Sequence, residues 1–432
     1  MEGRRLRRMA GLLRARLPEL HLDGVADPRA REGRWAIGQI LRATLIGLMA
    51  GSKNLWETEE LTESLSPSMR RELGLPRRIP DTTMRDALCK SGLVDDLRAS
   101  LHRAVRAAWR RKALKPVGLP MGVAALDGKV TALPCLNGEF IQNRVPEEGT
   151  PYGLVRTVTC ALISAAGRPC IDVVPIPGAT NEMGYFQAAF KSLVRAHGQL
   201  FEMVTYDAGV LSEANGKTVV DAKKDYLFAL KNEHRTMFKL ACELLAAQEV
   251  VARTVDVLDA KTTVTRTLKL LAVDPSWSYD DSKGPEESVW KHAQAFLAVE
   301  SVTLREGVVV ENEVRLFVSS CAPERLTPRQ WLYAVRAHGY VENNNHNTLD
   351  TAFAEDDWPW IEADEHGMLA VLVLRRIAYT LLALFKAVTQ RCEEKRAMRW
   401  KALLRWVRDA LVAATAETLA GLRAREVGAA AL

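Results

Sequence analysis

Ala124-Ala-Leu-Asp-Gly-Lys129 and Thr205-Tyr-Asp-Ala-Gly209 each place an aspartate, Asp127 and Asp207, where an apolar run meets a glycine. A carboxylate at the end of an apolar segment is where strands deliver catalytic side chains to a sheet edge. A third acid, Glu342, stands far downstream in Tyr333-Ala-Val-Arg-Ala-His-Gly-Tyr-Val-Glu342-Asn343. Two aspartates and a glutamate from separate segments suit phosphoryl transfer at a pair of divalent cations about 3.5–4 Å apart, which activate one oxygen and stabilise another as it leaves. Mg²⁺ (or Mn²⁺) is the expected cofactor, because a hard cation that keeps several waters needs only a few carboxylates. Each acid also has a plain reading. Asp127-Gly128 is a turn pair, Asp207 a helix cap, and Glu342 a solvated helix residue.

The surroundings of Glu342 add polar groups. His338, Glu342 and His346 stand at i, i+4 and i+8, so a regular helix puts them on one face. The histidines then contact phosphate or position Glu342. A metal site made of these three is the alternative, although no His-Glu-x-x-His motif occurs. Arg336 can reach a phosphate or pair with an acid. Its plain reading is a surface arginine.

The elements that must hold these residues follow from periodicity. Residues 1–115 read as helical: Ala36 to Met49 has helical apolar spacing, Trp56 to Leu65 a second helix, and Leu93 to Lys112 an arginine-rich third. Pro76 to Asp81 is a breaker after which Thr82 or Thr83 can cap a helix. From Val117 the period changes. A strand from Gly122 ends at Asp127, a hairpin joins Leu154–Ser164 to Cys170–Ile176, and a helix follows from Glu182 to His197. A strand from Phe201 ends at Asp207. A helix near Glu213–Lys224 and a strand Tyr226–Leu230, running into Lys231, complete a mixed α/β order. After a helix at Phe238–Gln248, residues 249–325 are mostly strand-like and read as an insertion. Residues 326–390 return to helix and close the core, and 391–432 form a basic helical tail. The expected units are therefore 1–115, a core of 116–248 and 326–390, the 249–325 insertion, and the tail.

Composition is globular, with 48% hydrophobic and 26% charged residues, enough for a large core. The net charge of +6 is too mild to identify a nucleic-acid binder alone. Its distribution says more. Arg4, Arg5, Arg7, Arg8, Arg14 and Arg16 crowd the first residues, and seven cations from Arg391 to Arg408 flank Trp400 and Trp406. Cations beside stacking rings suit a phosphate backbone, and two solvated helix faces are the alternative. The seven cysteines are scattered without a Cys-x-x-Cys, so neither a disulfide framework nor a zinc site is expected, and a reducing cytoplasm is. Glu19, His21 and Asp23 interrupt any signal-like apolar core, and Met368–Val388 carries Arg375, Arg376 and Lys386. It reads as a buried helix and no membrane partner is expected.

Together these motifs resemble the DDE transposases of bacterial insertion sequences, in the H-repeat-associated branch with a β-strand insertion in a ribonuclease-H-like core. The resemblance spans most of residues 30–390. Ala125-Leu-Asp-Gly-Lys129 is similar to the family's Ile-Asp-Gly-Lys, Thr205-Tyr-Asp-Ala208 to its Asp-Ala, and Tyr226–Asn232 to the strand that follows. The most specific stretch is Val335-Arg-Ala-His-Gly-Tyr-Val-Glu342-Asn343 with His346, Leu349-Asp350, Phe353 and Glu355-Asp356. Gly47–Leu65, Leu75–Arg85 and Leu374-Arg-Arg-Ile377 resemble the flanking helical segments. The chain departs from the pattern at Val130–Leu133, in Pro134–Gly153, which reads as extra, at Asn347, and at Trp358 and Trp360.

The resemblance implies an RNase-H-like mixed sheet with a β-rich insertion, a helical N-terminal domain and a helical tail. It implies that Asp127, Asp207 and Glu342 bind metal and catalyse cleavage at transposon ends and strand transfer into target DNA. Tyr333 and Arg336, with His338, His346, Lys129 and Lys231, are the implied DNA contacts. The implied partners are double-stranded DNA and a second copy of the chain on that DNA, in a bacterial, nucleoid-associated cytoplasmic setting. A transposase-derived protein that binds DNA without cutting it, and a metal-dependent nuclease, are the alternatives.

Overall fold

In the computed structural model, residues 2–30, 33–75, 77–231, 235–274, 277, 289–390 and 392–420 are described. Pro76, Asn232, Arg391, residues 421–432 and the side chains of Arg4, Arg5 and Arg7 lie outside that description.

Ten strands form one sheet: β1 (Val123–Leu133), β2 (Ile141–Arg144), β3 (Tyr152–Leu162), β4 (Cys170–Ile176), β5 (Met203–Tyr206), β6 (Asp225–Leu230), β7 (Ala252–Val257), β8 (Thr262–Ala272), β9 (Ala295–Arg305) and β10 (Val308–Ser319). Their order is β2-β3-β1-β5-β6-β10-β9-β8-β7, with β4 also on the outer edge of β3. β1, β3 and β4 pair antiparallel, while β5 and β6 run parallel to β1. An antiparallel trio continued by two parallel strands reached through helices is the ribonuclease-H-like sheet. The parallel members need crossover helices, and Glu182–His197 and Glu213–Asp221 supply them.

β4 is buried at every position, as expected of a strand covered on both faces. On one side it meets the helices Leu93–Arg110 and Glu365–Leu384. The latter, with its continuation to Thr389, is long and apolar enough to span a membrane, but its most apolar window is 94% buried inside the protein. The helix Ile37–Met49 packs against it too, so the N-terminal helices share one apolar cluster with the sheet.

The β7–β10 block is continuous with the core. The last residues of β10, Leu316 to Ser319, pair antiparallel with β6, so the insertion prolongs the core sheet.

Three local expectations are corrected. β1 does not end at Asp127 but runs on to Leu133, because β3 pairs with it along its whole length. The expected extra segment 134–153 holds β2, which returns to the same edge of β3. Neither Thr82 nor Thr83 caps the helix Asp81–Leu88. Its N-cap is Pro80, and the buried Glu59 accepts the Asp81 N–H instead.

The basic clusters are partly internal. Arg8 donates to Gln390, Arg14 pairs with Glu72 and Arg16 with Glu19. Trp400 stacks on Tyr379 and Trp406 on Phe385, so both rings serve packing between helices rather than forming an open platform.

Candidate active site

The parallel pairing of β1 with β5 reaches Ala125 opposite Thr205. Two residues further along each strand stand Asp127 and Asp207, which therefore leave adjacent strands side by side. Asp127 is on the central strand and largely buried, while Asp207 is exposed just beyond β5.

Glu342 arrives from the far side of the insertion. Its helix, Pro328–Tyr340, begins with a reciprocal cap: Thr327 accepts the Gln330 N–H, and Gln330 accepts the Thr327 N–H. Trp331 is fully buried and donates to the Pro323 carbonyl. With Leu332 and Val335 it fixes the helix to the sheet, each such side chain contributing roughly 1.5–3 kcal/mol. Residues Val341–His346 then widen into a π-helix, with the Asn347 N–H bonded to the Glu342 carbonyl. This corrects the i, i+4, i+8 face read from a regular helix, since the extra residue in the turn rephases everything after Val341. Single π turns are common at functional sites.

The two histidines clamp the widened turn onto two different strands. His338 Nδ1 lies 3.0 Å from the Thr205 hydroxyl on β5, and His346 Nδ1 lies 3.3 Å from Asp127 Oδ2 on β1. Burial lowers both imidazoles, His338 to about 4 and His346 to about 3, so both are neutral at pH 7. From the β3–β4 turn, Arg168 lies over the Tyr340 ring and donates to Asn344, bracing the same turn from outside.

Asp127 is pushed up to about 8. Burial is the largest cause, followed by the carboxylates of Glu342, Glu182 and Asp207, while a hydrogen bond from the Gly128 backbone opposes them. Three further carboxylates thus lie within electrostatic reach of Asp127, one more than the motifs indicated. Glu182 opens the helix after β4, and its oxygens rest where a Cβ on Gly128 would stand. Behind an Asn181 cap it looks in sequence like an ordinary first-turn acid. The signal that could have found it is a glycine directly after Asp127 in a strand.

These donors suit a divalent cation in kind: all are oxygens, and a cation would relieve the crowding that holds a proton on Asp127. Among the described residues, however, no three His, Cys, Asp or Glu side chains surround a common point closely enough to hold a metal ion as they stand.

The other expected site residues are placed as follows. Lys129 is buried, its ammonium among Asp350, Glu355 and Asp356, and Glu355 also pairs with the buried Arg376. Lys129 therefore ties β1 to the segment after Glu342 and is turned away from solvent. Lys231 is exposed, with Nζ 3.6 Å from Asp207 Oδ1. Arg336 pairs with Asp256 on β7 at 2.8 Å, joining the Glu342 helix to the insertion. Tyr333 is half-buried, its ring near Tyr340 and in reach of Gly118.

A cleft of about 1130 Å³ opens between this edge and the insertion. Asp207, Glu342 and Lys231 line it together with Arg266 of β8, Arg305 of β9, and Arg315, Glu311 and Glu313 of β10. These three arginines were not foreseen, because an arginine on a strand face says nothing of which cleft it meets.

No protein-family model matches the chain, and no curated protein is significantly similar to it. Among solved structures, a piggyBac transposase synaptic complex with hairpin DNA is similar at a TM-score of 0.42 and 12% identity, over 96% of this chain and 80% of that one.

Proposed function

We propose that this protein is a DDE-type transposase that cuts DNA at the ends of a mobile element and joins those ends to a target. The observation that carries this reading is the placement of Asp207 and Glu342 within electrostatic reach of Asp127 at the edge of a ribonuclease-H-like sheet, beside a cleft lined in part by arginines.

Asp127, Asp207 and Glu342 would hold Mg²⁺ or Mn²⁺, which when bound supplies charge stabilisation to the phosphate and to the attacking and leaving oxygens. In the first step water attacks the phosphorus at the element's end, and the 3′ oxygen leaves with a proton. In the second, that 3′ hydroxyl loses its proton and attacks a target phosphorus, breaking one P–O bond as it forms another. The protein's part is positional. Arg266, Arg305, Arg315 and Lys231 would seat the phosphate backbone, while neutral His338 and His346 hold the Glu342 turn against β5 and β1. Two element ends call for two copies of the chain on DNA.

The spread of the acids, no three of which surround a common point as they stand, favours a second reading: a protein of this fold that binds DNA without cutting it. The deciding experiment incubates the full chain with the inverted repeats flanking its reading frame and Mg²⁺. Cleavage and joining by wild type, lost in Asp127→Ala, is the expected result. Binding of the repeats without cleavage supports the second reading. Cleavage that survives Asp127→Ala refutes the site.

A further inference from the structure

We propose that β7 is a self-pairing edge: two copies of the chain join antiparallel along it, about a two-fold axis at Val255, so that one sheet runs through both. This gives a surface to the second copy that two element ends call for. It takes nothing from the metal site, so its failure leaves that reading untouched.

The first observation is an unguarded edge. β7 closes one end of the sheet, and among the described residues no strand pairs with its outer side. Such edges are usually blunted by proline, lysine, a bulge or an inward charge. β7 reads Ala252-Arg-Thr-Val-Asp-Val257, with neither proline nor lysine, and meets β8 without a bulge. Its inward charge, Asp256, is tied down by Arg266 and Arg336. On the outward face Val255 and Val257 are 57% and 71% exposed. Strand register continues that face through Thr265 and Val302 in one row, and through Thr263, Leu304 and Val309 in the next. A strand half open to water ordinarily turns polar side chains to it.

The second observation is which partner fits. The Leu258 N–H bonds to the Thr262 carbonyl. Bonded positions alternate in an antiparallel ladder, so Ala252, Thr254 and Asp256 bond to β8, while Arg253, Val255 and Val257 turn N–H and C=O to the open side. An antiparallel twin centred on Val255 satisfies all three: Val255 bonds its own counterpart, and Arg253 bonds Val257 in both directions. The same register sets Thr254 opposite Asp256 of the second copy, in a non-hydrogen-bonded pair, where side chains come closest. The Thr254 hydroxyl is shut off from solvent and has no hydrogen-bond partner among the described residues. A hydroxyl left so is costly until an acceptor arrives, and the Asp256 carboxylate is one. An unrelated strand takes the backbone bonds alone, whereas the two-fold axis brings that acceptor to both copies and closes the assembly at two. On the outward face Val255 meets Val255, and the aliphatic stem of Arg253 lies along Val257.

The test is sedimentation equilibrium of the full chain without DNA, with disulfide trapping of cysteine variants. Wild type is expected to dimerise with a Kd on the order of 1 μM, as a small interface does. Val255→Lys sets two ammonium groups against each other across the axis. It should weaken the dimer by about 10-fold or more, with an unchanged circular dichroism spectrum because the side chain is exposed. Val255→Cys should trap a disulfide dimer under mild oxidation, at the ~5.5 Å Cα separation of a bonded pair. Val257→Cys, set opposite Arg253, should not. A wild type that stays monomeric, whether its edge is bare or takes another protein's strand, overturns the proposal, as does a dimer that Val255→Lys leaves intact. If Val255→Lys fails to fold, the two cysteine variants decide. Equal trapping in both, or none in either above the wild-type background from exposed Cys242 and Cys392, refutes the pairing.

Discussion

Nδ1 of His346 faces Oδ2 of Asp127 at 3.3 Å, so the buried carboxyl on the central strand meets a neutral imidazole rather than a cation. Burial first, and then the charges of Glu342, Glu182 and Asp207, push Asp127 up to about 8, far above its ordinary value. The folded chain then binds a proton that the unfolded chain has released. The resulting stability is full below about pH 4 and is lost as pH rises through 8. Relative to wild type, Asp127→Asn, which cannot ionise, is expected to gain on the order of a few kcal/mol of stability between pH 5 and pH 9. Urea unfolding without divalent cations at the two pH values measures this. Equal gaps at both would refute the proton on Asp127.

The acid limb belongs to other groups. Burial lowers His197 to about 3, as it lowers His346 and His338. These imidazoles stay neutral in the fold but protonate in the unfolded chain below about 6.5. Their contribution is present above that pH and lost as pH falls toward their folded values. Replacing His197, whose ring packs edge-on against His102, by Phe should flatten the decline between pH 7 and 5 by up to about 2 kcal/mol. Urea midpoints at the two pH values report it.

Glu355 is fully buried and pairs with Arg376, while Lys129 reaches it from β1. Removing one partner of such a set strands the others without solvent. Glu355→Ala should cost about 3–5 kcal/mol in denaturant unfolding. A loss under 1 kcal/mol would show that the set is not held together in solution.

Gly128 and Glu182 compete for one space. Gly128→Ala must displace the end of the Glu182 side chain and is expected to destabilise by no more than about 1 kcal/mol, and Glu182→Ala should relieve most of that in the double variant. Additive losses in the cycle would mean that the two residues do not touch.

Arg315 on β10 is an electrostatic neighbour of Glu342 and Asp207 and lines the cleft. If the cleft seats DNA, Arg315→Ala should weaken binding across sequences and lower the slope of log affinity against log salt by about 1. Fluorescence anisotropy with duplex DNA at several salt concentrations tests this, and an unchanged slope argues against a phosphate at Arg315.

Much of the fold was legible because its signals are local. The run Cys170–Ile176, apolar but for Asp172, is a fully buried strand, and the apolar helix containing Arg375 and Arg376 lies in the core. Periodicity reports which face of an element is buried, and caps report where it begins, as Thr327 and Gln330 do. The sequence likewise marked Asp127, Asp207 and Glu342 as acids worth joining.

Only the tertiary structure decided what stands beside what. The parallel register of Ala125 with Thr205 sets Asp127 next to Asp207. The π turn at Val341–His346 sets the phase of His346, which meets β1, while His338 before the turn meets β5, and the open space at Gly128 admits Glu182. None of these is written in a local pattern, because each depends on the distance between segments that only long-range strand pairing and helix packing bring together. A glycine after an aspartate is a turn in the sequence; in the folded sheet it is the gap through which a fourth carboxylate approaches the first.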